Sequence, residues 1–260
     1  IYGRFGFASA AAAVNARIDV RRAGWIGPDA PGRIDFITRE RGRELAPALH
    51  ERIRPVTPGE IDMPDGQWDR YFGTRPDADK PGDFRAVQYR SPSDEIDGLA
   101  LYRVRENPDD YAAFTVHLEL LLVATDAAYA GLWRFLLSMD LIGTIEASEL
   151  STEEPLWWMI ANRRAATTTV VDHHYLRVLD VADALRARRY ETADSIALIV
   201  DDPLGITGGT FVLTTTPDGP ATVDAPDRVT AGLPLVRLGV AELSALLLGS
   251  VSAVTLARAG

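Results

Sequence analysis

A long apolar stretch, Phe114 to Thr125, constrains the fold more than any other part of the chain. Its first half alternates apolar and polar residues, and its second half is apolar throughout. That pattern is typical of a strand that enters the buried centre of a sheet. Asp126 follows directly and is predicted to cap a helix that runs to about Met139, with its apolar residues on one face. A buried strand leading straight into a helix predicts an α/β arrangement.

Further strands and helices are predicted before and after this stretch. Period-two patterns predict strands over 9–20, Arg33–Thr38, Phe84–Arg90, Gly98–Arg105 and Thr144–Ala147. Apolar residues at spacing four predict a helix over Arg41–Arg54, and a shorter helix is predicted over Gly66–Phe72. Two helices followed by three strands, a helix and a strand form a mixed α/β order.

From Glu153 onward the sequence predicts a new set of strands and helices. This change predicts a second, α+β domain with its boundary near 150–165. Predicted strands are Thr167–Val178, Ser195–Val200, Gly209–Thr216, Ala221–Ala225 and Leu233–Leu238. Predicted helices are Val181–Arg188, Gly239–Gly249 and Ser252–Ala259. The tripeptide Pro217–Gly219 reads as a hairpin turn between two of the strands.

Composition excludes several classes of function. The chain has 260 residues and no cysteine, so disulfides, thiolate nucleophiles and Cys-ligated zinc are excluded. Its net charge of −10 argues against a nucleic-acid partner. The longest uncharged apolar stretch, Leu243–Ala257, is about fifteen residues against the ~20 that span a bilayer. No membrane span is therefore predicted, and a cytoplasmic location is expected.

The first seven residues, Ile1 to Phe7, combine glycine with aromatic side chains. Gly3 and Gly6 let the backbone turn tightly and approach another surface. The hydroxyl of Tyr2 can donate a proton to a reacting group. The run is typical of a helix end that leads into a strand. Taken alone, it fits an aromatic turn packed in a core as well as a tyrosine held near a reaction centre.

The order of three features is similar to the Eis (enhanced intracellular survival) family of GNAT acetyltransferases. These features are Ile1–Phe7, the α/β lobe after it, and a block formed by Asn162–Arg164, Tyr175–Val181 and Ala184–Tyr190. The resemblance implies a degenerate GNAT lobe followed by an α+β domain that resembles sterol carrier protein. It divides the chain into the end of a cofactor-binding GNAT domain (1–20), a second GNAT-like lobe without a cofactor site (21–155) and an incomplete C-terminal domain (156–260).

The resemblance also implies that the chain is truncated at both ends. The loop that binds acetyl-CoA in this family is expected before Ile1. Segment 125–131, the corresponding loop of the second lobe, lacks the glycine-rich spacing that cradles a pyrophosphate, and Asp126 is negatively charged there. In the family the C-terminal carboxylate serves as the general base, a role that cannot be assigned to Gly260. The 260-residue chain alone is therefore expected to be inactive.

Site residues follow from the resemblance. Tyr2 matches the general acid of the family, and Arg4 is expected to approach the acetyl-CoA cofactor from the same turn. Trp68 corresponds to a tryptophan that walls the substrate pocket, although it also fits an aromatic residue on a core-facing helix. No metal is predicted, because His173 and His174 are neighbours in a predicted strand and should point to opposite faces.

The implied function is acetyl-CoA-dependent N-acetylation of amines, either aminoglycoside-like polyamines or Lys side chains. An aromatic wall and a negative field suit such cations. By resemblance the protein is expected to form a homo-oligomer, a hexamer. The alternative is a non-enzymatic module that binds an apolar ligand (a lipid) or supports assembly.

Overall fold

The computed structural model describes residues 1–57, 59–217, 219–229 and 232–260. Its strands are β1 (Ala8–Asp19), β2 (Arg33–Ile37), β3 (Phe84–Arg90), β4 (Ile96–Arg105), β5 (Phe114–Val123), β6 (Ile142–Leu150), β7 (Ala166–Leu176), β8 (Asp194–Asp201), β9 (Gly209–Thr215), β10 (Thr222–Asp224) and β11 (Leu235–Gly239). Its α-helices are α1 (Val20–Ala23), α2 (Arg39–Ile53), α3 (Asp65–Tyr71), α4 (Asp126–Leu137), α5 (Val181–Arg186), α6 (Val240–Leu247) and α7 (Ala253–Arg258). Short 3₁₀ helices include Tyr2–Phe5 and Pro155–Trp158. This order confirms the predicted mixed α/β fold class.

The chain forms two compact units. The first unit combines Ile1–Ala12 with Asp172–Gly260, and the second unit is Ala13–Val171. The chain passes from one unit to the other within β1 and again within β7. The boundaries of these two units differ from those of the three domains expected from the sequence. The three-domain division stays a prediction.

The sheet of the second unit has helices on both faces. The strand order is β2-β3-β4-β5-β6-β1-β7, and β5 runs parallel to β6 while β2, β3, β4 and β5 pair antiparallel. Because side chains alternate along a strand, Leu99 and Leu101 of β4 pack with α2 and α3, whereas Ala100 and Tyr102 pack with α4. A strand with two buried faces is the physical reason for its nearly continuous apolar sequence.

The strand and helix predicted from Phe114 onward are confirmed as β5 and α4, but the predicted cap is wrong. Thr125, rather than Asp126, is the N-cap residue, and its hydroxyl accepts a hydrogen bond from the Ala128 N–H at 3.2 Å. Thr125 has extended backbone angles, as an N-cap residue requires, so the helix begins at Asp126. The carboxylate of Asp126 then lies in the first turn, where it complements the helix dipole.

The first unit contains a smaller sheet with the strand order β10-β9-β8-β11, in which β8 and β11 are parallel. Its core contains Val178, Val181 and Leu185, which pack with Val200 and with Val240 of α6. The antiparallel pairing of β9 with β10 confirms the predicted hairpin. Asp218, in the predicted turn, lies outside the described residues.

Candidate active site

The N-terminal turn, Ile1–Phe7, folds as a 3₁₀ helix over Tyr2–Phe5 that leads into β1. Gly6 ends the helix in the left-handed region, at φ 74°, and its N–H donates to the Gly3 carbonyl at 3.0 Å. A Cβ on Gly6 would overlap the guanidinium of Arg177 and would lie 2.9 Å from Cγ1 of Val240. Both the backbone angle and the close approach therefore require glycine at this position.

Tyr2 lies on the surface of this turn, with 59% of its area exposed. Its ring contacts Tyr175, at 5.3 Å between centroids, and Phe7, at 6.1 Å. The Tyr175 hydroxyl donates to the carboxylate of Asp172, and this hydrogen bond raises the pKa of Tyr175. Tyr2 is thus held by aromatic neighbours and open to solvent, which differs from the alternative of an aromatic turn packed in a core.

A buried ion pair lies beneath the N-terminal turn. Nη2 of Arg177 donates to Oδ2 of Asp202 at 2.7 Å, and the two side chains are only 4% and 0% exposed. Nη1 of Arg177 donates to the carbonyl of Phe5. Burial raises the pKa of Asp202, but hydrogen bonds from the Thr207 and Leu204 N–H groups and from Arg177 outweigh it and lower the pKa to about 2. Asp202 is therefore ionised at neutral pH.

Arg4 occupies the last turn of the 3₁₀ helix and is exposed. Among the residues that the structure describes, none forms a hydrogen bond or an ion pair with its guanidinium. A guanidinium in this setting presents five donors to an anion, and it binds phosphate groups well. The position is compatible with the predicted contact to acetyl-CoA, which stays a prediction.

Trp68 lies in the core of the second unit and is 1% exposed. The ring of His50 packs edge-on against it, at 5.3 Å between centroids, and Tyr71 lies near it at 6.5 Å. Trp68 therefore occupies the core, as the sequence analysis expected for an aromatic residue on a core-facing helix. A role in the substrate pocket stays a prediction for Trp68.

The N-terminus of α4 does not fit a pyrophosphate. The Thr125 side chain already bonds the Ala128 N–H, and Asp126 adds negative charge in the first turn. Gly131 is a packing residue, because a Cβ there would lie 2.8 Å from the ring of Tyr89. The geometry and charge at this helix end are therefore unfavourable for the phosphates of acetyl-CoA.

The two neighbouring histidines, His173 and His174, do not point to opposite faces as predicted. Their rings stack at 4.1 Å with 29° between the planes. The reason is that His174 has φ 47°, which breaks the alternation of an extended strand. Across the described ranges, no three His, Cys, Asp or Glu residues lie close enough to hold a metal ion.

In those ranges no helix has the length and apolar character needed to cross a membrane.

Sequence reasoning missed Asp202 as part of the site, and it placed Arg177 only within a block of family resemblance. An aspartate followed by Pro203 and a glycine two residues later reads as an ordinary exposed loop. The only available signal was Arg177 itself, a charged residue between Leu176 and Val178 in an apolar segment.

Comparison with known proteins relates the chain to N-acetyltransferases. A model described as an acetyltransferase (GNAT) domain matches residues 59–186, and a sterol carrier protein domain matches residues 181–260. An uncharacterised N-acetyltransferase of Streptomyces avermitilis is 38% identical over 100% of this chain and 63% of its own length. N-acetyltransferase Eis of Mycobacterium bovis is 32% identical over 100% of this chain and 62% of its own length. The chain is a homologue of the Eis-like GNAT N-acetyltransferases.

Solved structures agree with this relationship. The crystal structure of Eis1 from Mycobacterium abscessus superposes with a TM-score of 0.80 at 26% identity, over 100% of this chain and 63% of that chain. A GCN5-related N-acetyltransferase from Anabaena variabilis has a TM-score of 0.81 at 18% identity, over the same shares, and supports the fold alone. The predicted Eis resemblance and the GNAT and sterol-carrier order are confirmed.

The chain spans about 63% of the length of the relatives that it matches. The Eis-like relatives align along the whole of it, so the alignment includes the N-terminal turn that carries Tyr2 and Arg4. The two domain models together cover the chain from residue 59 to residue 260.

Proposed function

We propose that the protein that contains this chain transfers an acetyl group from acetyl-CoA to an amine, with Tyr2 as the general acid. The observation that carries the proposal is the placement of Tyr2. Its ring is exposed on a turn whose Phe5 carbonyl accepts a hydrogen bond from buried Arg177, in a homologue of Eis-like N-acetyltransferases. A proton donor needs both access to the reacting group and a fixed position.

The reaction needs three proton transfers. A base removes a proton from the substrate ammonium, and the neutral amine attacks the thioester carbonyl, so that a C–N bond forms. The nitrogen of the tetrahedral intermediate then loses a second proton to the base or to solvent, and the intermediate collapses with cleavage of the C–S bond. Tyr2 gives its phenolic proton to the departing thiolate and is reprotonated from solvent. The products are the acetylated amine and free coenzyme A, and general acid catalysis of this kind contributes about 10²–10⁴-fold.

The other two predicted site residues receive different roles in this proposal. Arg4, exposed on the same turn, would contact the phosphates of acetyl-CoA, which is bound mainly by residues upstream of Ile1. Trp68 is buried, so we propose that it supports the substrate side from within the core of the second unit. Its indole would set the position of α3 rather than touch the amine directly.

The acceptor and the assembly are also proposals. A net charge of −10 favours a cationic acceptor, such as an aminoglycoside-like polyamine or a Lys side chain. We propose a homo-oligomer, a hexamer, and a cytoplasmic location, from the resemblance to the Eis family. No metal takes part in the proposed reaction.

The test is thiol release from acetyl-CoA in a chain extended upstream through the expected acetyltransferase domain and downstream to its natural end. With a panel of polyamines and Lys peptides, we expect saturable turnover with at least one acceptor. The variant Tyr2→Phe should lose most of this turnover. Its matched control is Tyr111→Phe, which changes an exposed tyrosine in the second unit and should leave turnover intact. Saturable acetyl-CoA binding to the 260-residue chain alone would contradict the proposed location of the donor site.

A second function is favoured by the match of residues 181–260 to a sterol carrier protein domain. In that case the first unit would bind an apolar ligand, and the chain would serve as a binding or assembly module. Absence of turnover in the extended chain, together with tight binding of a fluorescent acyl lipid, would support this function over the acetyltransferase.

A further inference from the structure

Arg177 and Asp202 form a buried ion pair, in a position where the loss of hydration disfavours charged groups. Desolvation offsets much of the attraction within a buried pair, so such a pair is weak support for stability by itself. Each member of this pair has further hydrogen bonds. Asp202 accepts from the N–H groups of Leu204 at 3.1 Å, Ile206 at 2.8 Å and Thr207 at 3.0 Å. The carboxylate thus fixes its own loop and holds the guanidinium at the same time.

The second guanidinium nitrogen connects this loop to the N-terminal turn. Nη1 of Arg177 donates to the carbonyl of Phe5, the last residue of the 3₁₀ helix that begins at Tyr2. Gly6 lies directly against the guanidinium, so a side chain there would not fit. Arg177 therefore controls the end of a helix that contains only Tyr2, Gly3, Arg4 and Phe5.

The aromatic contact of Tyr2 depends on the same segment. Tyr175, two residues before Arg177, packs its ring against Tyr2. The segment from Tyr175 to Arg177 therefore contacts both ends of the four-residue helix. The ring of Tyr175 packs on Tyr2 at its start, and the guanidinium of Arg177 donates to the Phe5 carbonyl at its end. Two contacts on a four-residue helix restrict both its position and its rotation.

We infer that Arg177, held by Asp202, is a positioning residue that fixes the orientation of Tyr2 for proton donation. The inference rests on the proposed function of Tyr2. Arg177 is buried and reaches Tyr2 only through the backbone of the turn, so it does not act on the reacting atoms. A planar guanidinium can donate to a carboxylate and a carbonyl at once in a fixed geometry, which a lysine ammonium does not reproduce.

The test is a double-mutant cycle in the extended, full-length protein, with Arg177→Lys and Tyr2→Phe alone and combined. A misplacement of about 1 Å can lower turnover ~100-fold. We expect Arg177→Lys to lower kcat by about 10–100-fold with KM values within about threefold. In the Tyr2→Phe background the same change should lower kcat less than about twofold, because the group that it positions is gone.

The matched control is Arg186→Lys. Arg186 belongs to the same unit and also bonds a carboxylate, Asp183 at 2.9 Å, and a carbonyl, Val223 at 2.7 Å. Its hydrogen bonds do not involve the N-terminal turn, so kcat should be unchanged. Equal losses from Arg177→Lys in the parent protein and in the Tyr2→Phe variant would overturn the inference, and so would an unchanged kcat.

A readout independent of activity separates this inference from the proposed function. Amide hydrogen exchange of a peptide that covers residues 2–7 should be faster in Arg177→Lys than in Arg186→Lys, and unchanged exchange would overturn the inference. If Tyr2→Phe keeps full turnover, the proposed function fails while the exchange result still tests the anchoring. Should Arg177→Lys not fold, Asp202→Asn serves as the second variant, because it removes the charge and retains an oxygen for the loop N–H groups.

Discussion

The rings of Tyr2 and Tyr175 pack against each other with 5.3 Å between their centroids and 34° between their planes. The pair joins the N-terminal turn to the end of β7, within the first unit. Aromatic pairs of this kind contribute about 0.5–1.5 kcal/mol beyond the area that they bury. The contact therefore limits the rotation of the Tyr2 ring without covering it.

Replacement of Tyr175 separates the contribution of its ring from that of its hydroxyl. Tyr175→Ala should lower turnover of the extended protein several-fold, because Tyr2 loses its aromatic neighbour. Tyr175→Phe keeps the ring and loses only the exposed hydrogen bond to Asp172, so turnover should stay within about twofold. Steady-state kinetics on the two variants check this, and equal turnover in both would show that the ring contact has no role.

Glycine at position 6 is required for the shape of the turn. Gly6→Ala should destabilise the first unit by about 1–2 kcal/mol or more, because alanine is strained at positive φ. The added Cβ would also overlap Arg177. Gly3→Ala is the control, since nothing lies within 4 Å of a Cβ at Gly3. Urea unfolding of both variants measures the difference, and equal stabilities would show that the turn adapts freely.

Trp68 should matter for stability more than for direct contact with a substrate. Trp68→Ala removes a fully buried indole and should lower the free energy of unfolding by about 3–5 kcal/mol. Trp158→Ala, at a tryptophan that is 78% exposed, should change it by less than about 0.5 kcal/mol. Denaturant titration distinguishes the two variants. Similar effects at both positions would contradict a core role for Trp68.

Glu154 gives the second unit a pH-dependent stability. Burial raises the pKa of Glu154 above its ordinary 4.5, although hydrogen bonds from the Tyr129 hydroxyl and the Ser151 N–H act in the other direction. The folded state therefore binds this proton more tightly than the unfolded state does. The contribution to stability is complete below about pH 4.5 and is lost as the pH rises through the raised pKa.

Glu154→Gln removes this titration. The free energy of unfolding of the parent chain, measured relative to the variant, should fall as the pH rises above about 4.5. Urea unfolding at a series of pH values on the 260-residue chain measures this difference. Parallel pH profiles for the two proteins would rule out the buried carboxyl as the source.

Local patterns predicted much of the fold. The apolar stretch that became β5 and the spacing of apolar residues in α4 are signals contained in a dozen residues each. The alternating faces of β4 follow from the same periodicity. The position of Tyr2 on a turn before a strand was readable from Gly3 and Gly6, which follow it, and from the family resemblance.

Features that depend on tertiary contacts were not predictable in this way. Arg177 and Asp202 are separated by 25 residues in sequence, and neither residue alone signals that the two form a buried pair. The stacking of His173 on His174 arises from one left-handed backbone angle, which a period-two pattern does not encode. The N-cap is Thr125 and not the predicted Asp126, because the extended backbone ends one residue earlier than the sequence pattern suggested.

The most direct test of the central claim is the turnover of Tyr2→Phe in the extended protein, measured as thiol release from acetyl-CoA. The change removes one hydroxyl from an exposed side chain and keeps the ring that packs on Tyr175. If Tyr2 donates the proton to the leaving thiolate, kcat should fall by about 10²-fold or more while the affinity for acetyl-CoA stays within about threefold. An unchanged kcat in a fully folded variant would contradict the assignment of Tyr2 as the general acid.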